Sequence, residues 1–160
     1  HHLSLAELKG WDAMWFAANY WIYALGAILA MLISGPLIDK FTALQVLPVF
    51  LLPLAIGLLI IWKLDDAWWA WPYLFLLGIS TGISHTGFPA LWAEVYGVNS
   101  LGAIKSLSVS LSVFASALGP LVMGLMLDNG IFIEQICLSF SLYCLISSYI
   151  FAIGLRFYRQ

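Results

Sequence analysis

Ser34-Gly35-Pro36-Leu37-Ile38-Asp39-Lys40-Phe41 carries one acid and one base between two long uncharged stretches. No charged side chain occurs from Ala13 to Ile38, and none from Phe41 to Trp62. A helix spanning a bilayer satisfies its own backbone, so charge and irregular backbone are pushed to the water boundary. The Gly-Pro pair with Asp39 and Lys40 therefore reads as a break between two membrane spans, lying at one face of the bilayer.

The rest of the chain repeats this pattern. Charges separate five apolar runs, giving predicted spans at about 12–34, 44–62, 68–91, 105–127 and 135–155. Each charge-free run is long enough to cross the roughly 30 Å hydrocarbon core at about 1.5 Å per residue. Of the 160 residues 63% are hydrophobic and 9% charged, and the mean hydropathy is +0.99. Soluble domains carry about a quarter charged residues, so this chain could not cover its surface in water. The expected fold class is an all-α membrane protein of five transmembrane helices, bathed in lipid. With a net charge of −2 and six scattered Lys and Arg residues, no nucleic-acid partner is indicated. Nothing calls for a cofactor or metal, and paired intramembrane carboxylates are missing, so no enzyme is expected. Ser84 and His85 are adjacent on a helix and point about 100° apart, a poor nucleophile–base pair. Cys137 and Cys144, about 10 Å apart along one helix, cannot bond to each other and read as packing residues.

Short links predict antiparallel consecutive spans. With the amino end outside, the inner segments hold Lys40, Lys105, Arg156 and Arg159, and the outer ones only Lys9 and Lys63. The positive-inside asymmetry favours that orientation. Tryptophans cluster at the boundaries, at Trp11, Trp15, Trp62, Trp68, Trp69, Trp71 and Trp92. Pro48, Pro53, Pro89 and Pro120 lie where spans would bend. Gly78 and Gly82, four apart, permit close helix approach.

Three stretches, in order, resemble the major facilitator superfamily of secondary transporters. Gly35-Pro36-Leu37-Ile38-Asp39-Lys40 is similar to that family's signature cytoplasmic loop. Trp92-Ala93-Glu94-Val95-Tyr96-Gly97, followed by Gly102 to Ser106, is similar to the link between helices ten and eleven. Gly119-Pro120 with Gly124 and Asp128-Asn129-Gly130 is similar to helix eleven and its exit. Phe41-Thr42-Ala43 departs from the basic run that follows the first-half loop, so the resemblance is to helices eight to twelve of the carboxyl-terminal half. It implies a fragment whose amino-terminal half, helix seven included, lies elsewhere in the same chain. It further implies secondary active transport, as symporter or antiporter, of a small-molecule substrate by alternating access. A coupling proton or other ion and the plasma (cell inner) membrane belong to that expectation. A transporter-like receptor or binding subunit is the alternative.

The resemblance makes Gly35, Asp39 and Lys40 a conformational latch, against the plainer reading of a solvated turn. His85 is the sole titratable group inside a span. It shares a helical face with Gly78, Thr81, Gly82 and Pro89, and with Thr81 and Ser84 it is a candidate for the substrate cavity. Asn19 and Tyr23 on span one, and Ser112 in the stripe Ser108-Ser112-Ser116 on span four, are further cavity candidates. For each of these, interhelical packing is the competing role. Glu94 and Lys105 are expected to pair across their link, and Asp65, Asp66, Asp128 and Glu134 to be solvated outer ends.

Overall fold

The computed structural model describes the backbone of residues 2–158 and the side chains of residues 5–154. Among the described residues all regular structure is helical. Two short helices, α1 (His2–Leu8) and α2 (Ala13–Ala18), lead into α3 (Trp21–Phe41). Next come α4 (Ala43–Val46) and α5 (Leu51–Lys63), joined by a 3-10 turn at Leu47–Val49. A second 3-10 turn at Ala67–Trp69 opens α6 (Ala70–Tyr96), and α7 (Leu101–Asp128) and α8 (Ile133–Tyr158) complete the order. These form five segments long and apolar enough to cross a membrane: Ala13–Phe41, Ala43–Lys63, Ala67–Tyr96, Leu101–Asp128 and Ile133–Gly154. Large apolar side chains such as Leu32, Ile33, Leu111, Phe114 and Ile150 stand exposed around the spans. In water such a surface would aggregate, whereas lipid requires it. The chain is a multi-pass integral membrane protein.

The expected break at Gly35-Pro36 does not occur. Helix α3 runs through both residues to Phe41, so span one ends beyond the expected residue 34. Proline at 36 removes only the amide that would bond the Leu32 carbonyl, a loss that membrane helices tolerate. The chain turns instead at Thr42, whose φ of 76° and ψ of 151° leave helical space while its amide still bonds the Ile38 carbonyl at 2.7 Å. A β-branched residue rarely adopts positive φ, so a bend here needs support from outside the turn.

Spans one and three, not consecutive in sequence, form the broadest interface, and α6 also meets α5 and α7. The reason is glycine. A Cβ at Gly26 would lie 2.5 Å from the Phe75 carbonyl oxygen, and one at Gly82 would lie 2.5 Å from that of Ala27. At Gly78 it would collide with the Tyr23 carbonyl. The two helices therefore touch backbone to backbone, as the Gly78 and Gly82 spacing implies. Increasing residue numbers match along both helices, so spans one and three run parallel.

Span two is held differently. Interrupted around Pro48, it offers backbone carbonyls to serine hydroxyls of its neighbours. Ser80 donates to the Phe50 carbonyl at 2.5 Å, Ser141 to that of Ala55 at 3.0 Å, and Ser148 to that of Pro48. Ser141 and Ser148 are buried on α8, and their order against Ala55 and Pro48 makes spans two and five antiparallel. Cys137 and Cys144 are buried and unbonded, packing residues as expected.

At one end of the bundle Lys9 stands 2.5 Å from the carboxylate of Asp65 and 3.3 Å from that of Glu134. The Trp11 indole donates to the Asp65 carbonyl at 2.5 Å. Asp65 and Glu134, expected as solvated outer ends, thus also pair with Lys9. The Lys9 side chain is 2% exposed, so its charge needs partners, whereas Asp65 at 79% keeps most of its hydration and Glu134 at 41% a part of it. Buried Leu5, Ala6, Trp11 and Phe16 pack the amino-terminal segment over Ile61, Tyr73, Ile133 and Ile136. At the other end Ile38, Ala43, Leu47 and Leu91 cluster with Phe151. Asp39 and the carboxyl-terminal end of α8 thus share one side, as alternating spans demand. Arg159 and the side chain of Arg156, counted on that side from sequence, lie outside the described residues.

The glycine contact makes a direct prediction. Gly78→Val should destabilise the protein by about 1–3 kcal/mol or more, because no side chain can yield to the added carbon. Gly124→Ala, where nothing lies within 4 Å, should be neutral or gain up to about 1 kcal/mol of helix propensity. Thermal unfolding in detergent compares the two, and equal midpoints would contradict the close approach.

Candidate functional site

Between α6 and α7 runs a groove of about 690 Å³. From α6 it takes Ser84, His85, Phe88, Pro89 and Trp92, and from α7 Lys105, Ser108, Ser112 and Ser116 with intervening valines. Their spacing of roughly one helical turn puts each set on one side of its helix. The structure thus gathers three sequence candidates, Ser84, His85 and Ser112, in one place. His85 is exposed into it.

The face shared by Gly78, Gly82, His85 and Pro89 is divided. Its amino-terminal part is closed by α3, and its carboxyl-terminal part opens onto the groove. Thr81 does not line the groove, and its hydroxyl donates to the Leu77 carbonyl of its own helix at 2.9 Å. Asn19 lies at the end of α2, where its amide donates to the Trp15 carbonyl at 2.8 Å. Tyr23 stands at the contact of α3 with α6, its ring 6.1 Å from that of Tyr20. Neither reaches the groove.

Three of the groove's four serine hydroxyls are turned to their own backbone. Ser84 donates to the Thr81 carbonyl at 2.7 Å, Ser112 to that of Ser108 at 2.8 Å, and Ser116 to that of Val113 at 2.7 Å. Their oxygen lone pairs are left for a ligand, and each hydroxyl proton is recovered by a small rotation. The Ser84 proton points to a main-chain carbonyl rather than to His85. Among the described residues no group of three His, Cys, Asp or Glu is placed to hold a metal.

Sequence reasoning passed over Lys105 as a groove residue, since Glu94 offered it a nearer partner on paper. Glu94 instead accepts from the amides of Ala43 at 2.7 Å and Leu44 at 3.4 Å. Those are orphan donors at the start of α4, just after the Thr42 turn, and a carboxylate is the strongest acceptor available for them. This is the outside support that the Thr42 bend requires. Lys105 is left without an ion pair among the described residues. The one-turn step from Lys105 to Ser108 was the signal that could have placed it in the groove.

Gly35, Asp39 and Lys40, the latch candidates, lie on the last turns of α3. Asp39 and Lys40 are exposed, and the Lys40 ammonium sits 5.2 Å from the centre of the Phe41 ring. A second groove of about 630 Å³, between α3, α4 and α6, is lined mainly by Leu, Ile, Val and Phe side chains with Ser34 and Gln45. It offers far less chemistry than the first.

Fold and groove together define a multi-pass membrane protein with a mixed-polarity cleft between two of its spans. The chain matches no protein-family model, no curated protein and no solved structure.

The arrangement of Glu94 has a measurable consequence. Glu94→Ala should cost about 0.5–2 kcal/mol, the usual loss of a helix cap, while Lys105→Ala should stay within about 0.5 kcal/mol of the parent. Detergent unfolding of both variants checks this. Equal losses would restore a Glu94–Lys105 pair.

Proposed function

We propose that these five spans are part of a secondary active transporter that moves a small solute by alternating access, resembling the major facilitator superfamily. The observation that carries the reading is the groove between α6 and α7, where His85, Ser84 and Ser112 lie among apolar walls within membrane-spanning segments. Ligand sites are mostly apolar with a few placed polar groups, and a titratable residue inside a span marks a candidate solute or ion path. The helices that bound the groove are suited to movement. None of the residues of α7 is buried, so it is loosely held, and Pro89 and Pro120 lie inside α6 and α7, each removing one helix hydrogen bond. The parallel pair α3–α6, locked by glycine, is the rigid body against which α7 shifts.

In this reading Gly35, Asp39 and Lys40 bias one access state. A carboxylate near helix-starting amides contributes about 0.3–2 kcal/mol, enough to shift states that differ by a few kcal/mol. The protein resides in the plasma (cell inner) membrane and couples transport to a proton or other ion. No step needs a cofactor or covalent chemistry.

Uptake into proteoliposomes carrying the full chain tests the proposal. His85→Ala should lower uptake by about tenfold, the value of one polar contact to the solute, with unfolding temperature unchanged. Asp39→Asn should slow turnover several-fold while the protein still folds. Uptake equal to that of protein-free vesicles would reject transport, and wild-type uptake by His85→Ala would remove His85 from the path.

A further inference from the structure

We infer that the groove between α6 and α7 selects a small organic anion with an apolar body, a conclusion that rests on the transport reading of this site. The groove's ionisable side chains are Lys105 and His85, and no acid lines it. The chain's acids lie outside that lining. Glu94 is spent on the Ala43 and Leu44 amides, Asp65 and Glu134 face Lys9, and Asp12 caps α2 through the Met14 and Trp15 amides. Glu7 is exposed on α1, and Asp39, Asp66 and Asp128 stand exposed at span ends. A cationic ligand would meet no carboxylate among the groove's lining residues. An anion meets an ammonium that makes no ion pair or hydrogen bond among the described residues.

Position refines the class. Spans three and four are antiparallel, which sets Lys105 near Trp92 at the inner mouth and His85 with Ser112 deeper in the membrane. Seven residues separate His85 from Trp92 and Lys105 from Ser112, about 10 Å along each axis. Lys105 draws the anion to the mouth, Phe88 and Trp92 pack its apolar body, and the imidazole and serine hydroxyls receive the polar end further in. Fixed multiple charge is disfavoured, since one ammonium is all that offsets desolvation.

Counterflow in proteoliposomes with two membrane-impermeant, radiolabelled aromatic probes separates the ideas. Benzenesulfonate should exchange saturably and benzyltrimethylammonium should not. Lys105→Gln should raise the benzenesulfonate half-saturation concentration about tenfold, as loss of a charged contact implies, and Lys105→Arg should keep it within about twofold. Exchange of the cation at an equal or greater rate, or indifference to Lys105→Gln, would overturn anion selection and leave transport standing. Saturable, Lys105-dependent binding of benzenesulfonate without exchange would support the anion site and reject transport. Absence of saturable benzenesulfonate binding would overturn the inference. So would failure of Ser112→Cys to react with an anionic thiol reagent, because another helix would then fill the groove.

Discussion

Lipid offers helices no hydrophobic reason to associate, so tight packing and hydrogen bonds between them must do what water does for soluble cores. In this protein the tight packing lies where α3 crosses α6. Gly26, Gly78 and Gly82 leave no space for a Cβ, and the carbonyls of Tyr23, Ala27 and Phe75 approach the facing backbone directly. Once α3 and α6 are fixed side by side and parallel, the intervening span must return beside them. The remaining helices settle where their polar groups can reach.

Polar groups then tie the remaining elements to that pair. Span two is broken around Pro48, and three serines from α6 and α8 donate to its carbonyls. Unmet carbonyls inside hydrocarbon are costly, so these bonds set the register of spans two and five. The two faces of the bundle use ions in opposite ways. On one, a buried ammonium, Lys9, gathers an acid of the link before α6 and one from the first turn of α8. On the other, a carboxylate, Glu94, gathers the amides of a helix start across the Thr42 turn. Helix α7 receives neither treatment, and it is the helix that forms one wall of the polar groove.

The absence of charge along five stretches made the spans legible, because the rise of a helix and the thickness of hydrocarbon leave few alternatives. Gly78 and Gly82 announced a close contact, and the serine stripe of α7 announced a polar face with hydroxyls bonded to their own helix. What sequence located wrongly was local punctuation. Gly35-Pro36 looks like a break, yet a proline costs a membrane helix one hydrogen bond, and Thr42 makes the turn because Glu94 caps the start of α4. Asn19, a cavity candidate by sequence, donates to the Trp15 carbonyl at the end of α2.

By itself, then, the sequence determined that this is a bundle of five membrane helices, roughly where each span lies, and which faces are small or polar. Those properties depend on neighbours in the chain and on the solvent. Only the tertiary structure decided that α3 lies on α6, that Lys9 holds Asp65 and Glu134, that Glu94 turns away from Lys105, and that His85, Ser84 and Ser112 share a groove. Each of these depends on a distance between residues far apart in the chain, and helical periodicity sets the face a side chain occupies without saying which helix will meet it.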